Sequence, residues 1–120
     1  MSGRKYDLED RLLEYSASIV ILIDQIANTR AGNHVAGQLL RSGTSALPNH
    51  GEAQAAESPA DFIHKTKICL KELRESYRWL LLVRRVPLIA LESDVTALIC
   101  ETDELIRIFV KSLQTAQSER

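Results

Sequence analysis

The chain has 120 residues, 45% of them apolar and 26% charged, with fifteen Lys and Arg against sixteen Asp and Glu for a formal charge of -1. This supports a single core of common size and a soluble globular class. It excludes a uniformly basic surface, so any nucleic-acid site has to be a local patch.

Only five glycines and three prolines interrupt the sequence, which favours an all-helical fold. Cys69 and Cys100 both sit in apolar helical patterns and read as reduced core thiols of a cytoplasmic protein. Arg4, Lys5, Asp7 and Glu9 interrupt any signal-peptide layout. No apolar run reaches about 18 residues, so no membrane span is expected.

After a loose tail over residues 1–5, the pattern predicts a first helix over about 6–29. Leu8, Leu12, Tyr15, Ile19, Leu22 and Ile26 alternate steps of four and three, a heptad stripe suited to near-parallel packing. Gly32-Asn33 reads as the turn that follows. A second helix is expected over about 34–57, with Val35 and Leu39 giving way to small residues at Ser42, Ala46, Ala53 and Ala56. Pro48 should kink it and free the carbonyl near Thr44, unless the chain breaks there into two helices.

Ser58-Pro59-Ala60-Asp61 marks the start of a third helix over about 59–85, with Ser58 as cap and Pro59 in the first turn. Phe62, Thr66, Cys69, Leu73, Ser76, Leu80 and Val83 keep the heptad rhythm. Trp79, Leu82 and Val86 lie elsewhere on the wheel, so apolar surface is left over as a candidate subunit interface. Pro87 closes this helix, and Ser93 or a neighbour caps a fourth over about 92–115. The expectation is one all-α domain spanning 1–120, an antiparallel up-down-up-down four-helix bundle.

One row does not fit an ordinary face. Gln38, Arg41, Ser45, Asn49 and Glu52, spaced three, four, four and three apart, share one side of the second helix. A hairpin turning near Glu57-Ser58 sets Arg41 opposite Glu75 and Glu72, a candidate bidentate ion pair between helices. Asn49 is placed to take up a carbonyl freed by Pro48. The row either fixes helix register or lines a ligand face. If the pair is buried, Arg41→Ala costs more than about 2 kcal/mol.

Lys67, Lys71, Arg74, Arg78 and Arg85 form a basic row along the third helix, flanked by Lys65. Lys65, Lys67, Lys71, Arg74 and Arg78 are the candidate nucleic-acid contacts, since such a row can neutralise successive phosphates. Glu72 and Glu75 interleave with it. Aromatic residues are only 5% of the chain, too few for a base-stacking platform. His34, His50 and His64 share no metal-ligand spacing, Ser42 and Ser45 have no evident base, and no glycine-rich phosphate loop occurs. The chain is therefore expected to be a non-enzyme with no cofactor and no metal.

Taken together, Gln38-Leu-Leu-Arg41-Ser42-x-Thr44-Ser45, Asn49-x-x-Glu52-Ala53, Ser58-x-x-Asp61-Phe62-Ile63-x-Lys65 and Lys71-Glu72-x-x-Glu75-x-x-x-Trp79-Leu80 resemble the bacterial 23S rRNA-intervening sequence proteins. The resemblance runs from about Tyr6 to Leu113. It implies four antiparallel helices and a ring-like homo-oligomer, with a pentamer favoured. The accessory protein of diversity-generating retroelements, which binds a reverse transcriptase and nucleic acid through a basic surface, is similar in fold.

The expectation is thus a non-catalytic, self-associating, cytoplasmic binding module whose ligand is nucleic acid or a nucleoprotein. The alternative is a protein-protein interaction scaffold with no nucleic-acid role and an unidentified protein partner. No membrane contact is expected under either reading.

Overall fold

The computed structural model describes residues 7–119; the tail over residues 1–5 and the expected helix start at Tyr6 lie outside them. The described residues form five helical segments: α1 (Leu8–Ile23), α2 (Arg30–Gly43), α3 (Ala46–Gln54), α4 (Pro59–Arg85) and α5 (Glu92–Ser118). The segments α2 and α3 share one column, so the architecture is a bundle of four antiparallel columns. Column α1 packs against α2, α3 and α5, and α4 packs against the same three, which sets α1 and α4 on diagonal corners.

Local chemistry fixes three of the five helix starts. Asp7 Oδ1 accepts from Asp10 N at 2.8 Å, Thr29 Oγ1 from Gly32 N at 3.0 Å, and Ser58 Oγ from Asp61 N at 3.1 Å. Each side chain thereby satisfies an amide that the first helical turn leaves open. The expected cap at Ser93 is not formed. Leu91 holds the N-cap position with no side-chain bond, and Glu92 and Asp94 supply negative charge in the first turn instead.

The first helix is shorter than its heptad stripe suggests. It stops at Ile23, because Thr29 caps the next helix and the chain between them must turn. Ile26 is still buried, carried inward by a connection whose Ala27 N donates to Leu88 O at 2.9 Å. Gly32 is not the turn read from the sequence but lies in the first turn of α2. A Cβ there would fall 1.9 Å from the Ala27 carbonyl oxygen, so only glycine admits this crossing.

The second column breaks at Thr44 and Ser45 rather than kinking at Pro48. Pro48 is the third residue of α3, where its missing N–H has no intrahelical partner to lose. The disruption therefore moves one turn upstream. Thr44 Oγ1 donates to Leu40 O at 2.7 Å, and Asn49 Nδ2 donates to Ser45 O at 2.9 Å and Ser45 Oγ at 3.1 Å. Asn49 does serve a carbonyl at the break, but that of Ser45 and not of Thr44.

The core is built from Leu12, Ile19, Leu39, Leu73, Leu80, Val83, Val95 and Leu105, all at 0% exposure. Cys69 joins it, its thiol pushed up to about 12 by burial. Cys100 does not: it lies on the solvent side of α5, since its place in the stripe falls between the core positions Ile99 and Thr102.

Candidate functional site: a polar seam and a basic face

Small residues bring α2 and α3 close to α4. Ser76 Oγ donates to Ser42 Oγ at 2.8 Å with both residues at 0% exposure, and Cys69 Sγ lies 3.6 Å from Ala46 O. A Cβ on Gly43 would sit 2.8 Å from Ile19 Cγ2, so the same column also presses tightly on α1. Above this floor runs the polar row. Arg41 Nη1 donates to Glu72 Oε1 at 3.1 Å, and Arg41 Nη2 pairs with Glu75. Glu75 Oε2 also accepts from Trp79 Nε1 at 3.0 Å, and the Trp79 ring meets His34 edge-on at 6.1 Å. At the far end, Lys65 Nζ donates to Glu52 Oε1 at 2.6 Å.

The row therefore faces α4, as the hairpin register predicts, but it forms the rim of the seam and not its interior. The Arg41 side chain is 52% exposed, while Glu72 keeps only 11%. Gln38, Ser45 and Asn49 are half-buried, and Glu52 is exposed. A guanidinium half in water is screened by solvent, so the cost expected for a buried pair does not apply.

The same pairing sorts the basic residues. Lys65 is not part of the basic row, because it turns to Glu52, which raises its pKa through their hydrogen bond. Lys67, Lys71, Arg74 and Arg78 stay exposed on the outer face of α4. No acid among the described residues pairs with them, and Arg78 Nη1 leans back onto Arg74 O at 3.2 Å. Glu72 and Glu75 interleave in sequence but point to Arg41 in space, leaving the outer face uninterrupted. Trp79 is drawn into the seam, whereas Leu82 and Val86 are 40% and 56% exposed.

Two features escaped the sequence pattern. On α1, Leu13, Val20 and Ile21 are 55%, 45% and 63% exposed, an apolar surface that a search for core stripes passes over. Beside it, α1 and α5 part to leave a groove of about 460 Å³. Below the groove they are tied by Arg11, whose Nε and Nη2 donate to Glu101 at 2.8 and 2.9 Å, raising the Arg11 pKa. Thr102 Oγ1 donates to Leu98 O at 2.6 Å, so Tyr15 OH must be the donor in its 2.7 Å bond to Thr102. Burial pushes the Tyr15 phenol up to about 12.

Histidines offer no shared centre. His50 turns into the bundle edge-on to Phe109 at 6.0 Å, where burial lowers its pKa, and His64 stays exposed. Among the described residues no group of three or more His, Cys, Asp or Glu could hold a metal ion. None of their helices is long and apolar enough to cross a membrane.

This is an all-α four-helix bundle with a sealed polar seam on one side and a basic outer face on α4. By sequence it belongs to the 23S rRNA-intervening sequence protein family, whose profile matches residues 4–111. A solved structure of a protein of unknown function from the S23 ribosomal protein family of Bacteroides thetaiotaomicron VPI-5482 is similar. It shares 33% identity over 89% of this chain and 98% of its own, with a TM-score of 0.82. No curated protein matches.

Proposed function

We propose that this protein is a non-catalytic, cytoplasmic, self-associating module that contacts the phosphate backbone of RNA or DNA. One observation carries the reading: Lys67, Lys71 and Arg74 stand exposed and unpaired among the described residues, because the carboxylates between them are committed to Arg41. Successive cations on one helix face match a row of phosphates. The family's association with ribosomal RNA genes agrees with this, and the ring-like pentamer implied by the resemblance would repeat the row around one particle. The overall charge of -1 confines the contact to this face.

A gel shift with structured RNA tests it. Binding should weaken steeply as salt rises, and changing Lys67, Lys71 and Arg74 together to Glu should abolish it at low salt. In the single Lys67→Ala, Lys71→Ala and Arg74→Ala variants, which still bind, the logarithmic salt slope should each time fall by about 1. Undiminished binding by the triple variant would clear α4 of the role. The second reading, a protein scaffold without nucleic acid, is favoured by the exposed Leu82 and Val86. It leads if no RNA or DNA binds at low salt.

A further inference from the structure

The groove between α1 and α5 has apolar and acidic parts. Ile21, 63% exposed, lies along it with Leu22 and Leu98, and Glu14 and Asp94 stand on its rim. No cation among the described residues pairs with either rim carboxylate. The last two turns of α4 and its C-cap residue Val86 carry the complementary pattern. Leu82 and Val86 project apolar surface into solvent, and Arg78 and Arg85 flank them. None of these four lines the groove, and α4 stands diagonally opposite α1, so no chain can seat its own α4 there.

We propose that the occupant of the groove is the α4 end of a second copy of this chain, with Leu82 and Val86 against Ile21 and with Arg78 and Arg85 facing Glu14 and Asp94. The inference rests on the self-association proposed above and names its surfaces. Charge selects the pairing. Two acidic grooves repel each other, as do two basic helix ends, whereas groove and helix end attract. Such an interface joins unlike patches, head to tail. Each copy keeps one free groove and one free helix end, so the assembly grows by addition and closes where the rotation between copies allows, which is compatible with the ring that the resemblance implies. The contact uses the C-terminal end of α4 and leaves Lys67 and Lys71 outside it.

Sedimentation of the full-length chain and two exposed-site variants tests the geometry. Ile21→Glu breaks the groove and Leu82→Glu breaks the helix end. Each variant should be a folded monomer by circular dichroism and sedimentation at concentrations where the wild type is oligomeric. Mixed in equal amounts, they should form a 1:1 dimer and nothing larger, because one intact groove and one intact helix end remain in the pair. Two folded monomeric variants that stay apart on mixing, or either variant keeping the wild-type size, would overturn the proposed interface while leaving self-association intact. A wild-type monomer at micromolar concentration would instead sink the self-association reading itself. Should a variant fail to fold, charge reversal decides. Glu14→Lys with Asp94→Lys should dissociate the assembly, and adding Arg78→Glu and Arg85→Glu to the same chain should restore it. Failure to restore counts against the interface.

Discussion

The bundle has two long seams of opposite character. Between α2/α3 and α4, serine and alanine let the helices close until hydroxyls meet at 2.8 Å, and ion pairs cover the top. Between α1 and α5, contact depends on long groups: a guanidinium reaching two carboxylates and a phenol reaching a threonine. Where those end, the helices stand apart and a groove opens. Side-chain size on the facing positions thus decides which seam is structural and which is left to receive something else. Close packing leaves no room for a ligand, and held-apart packing cannot avoid exposing apolar surface.

Enlarging one alanine on each seam gives the largest contrast. Ala46→Leu drives a side chain into a site at 1% exposure and should cost about 3 kcal/mol in urea unfolding. Ala97→Leu, exposed on the open seam, should stay within about 0.5 kcal/mol when both alanine variants are made in the Leu82→Glu background, where no second copy fills the groove. Equal losses would erase the distinction.

Next in size is Tyr15→Phe. It removes the donor to Thr102 and should cost about 1 kcal/mol by chemical denaturation, showing that the open seam is still anchored in the core. Arg41→Ala should lose about 1 kcal/mol or less, and the loss should shrink further at 1 M salt because the guanidinium is half in water. A loss above about 2 kcal/mol that resists salt would mean the rim behaves as a buried pair.

The smallest effect comes from His50. Burial lowers its pKa from the ordinary 6.5, so the unfolded chain binds the proton more readily than the folded one. The stability held by neutral His50 is complete above about pH 6.5 and is lost as pH falls through the lower folded value. His50→Gln should flatten that part of the profile of melting temperature against pH, and an unchanged profile would count against the linkage.

Much of this was legible in the residues. The four helical columns, the Ser58 cap and the meeting of Arg41 with Glu72 and Glu75 follow from periodicity and hairpin register, which are local properties, whereas the end of α1 and the break in the second column do not. What was not legible depended on where a helix face points after packing. Lys65 reads as one of a basic cluster by proximity in sequence, yet two residues' difference from Lys67 turns it through most of half a circle toward Glu52. Trp79 reads as surplus until Glu75 and His34 take it into the seam. The break at Thr44 shows that a proline announces a disruption better than it locates one, since the carbonyl it cannot bond lies a turn earlier. The α1 face was missed because its exposed leucine and isoleucine flank a genuine core stripe.

The two thiols give the closed seam a clock. Cys100 stands in solvent, while Cys69 is sealed under the Ala46 carbonyl with its proton held tightly. A thiol reagent should label the first within the folded protein and wait for α3 to lift from α4 before reaching the second. At reagent concentrations where labelling outpaces reclosing, the rate at which the second label follows the first, read by mass spectrometry, is the opening rate of the seam in the unaltered chain.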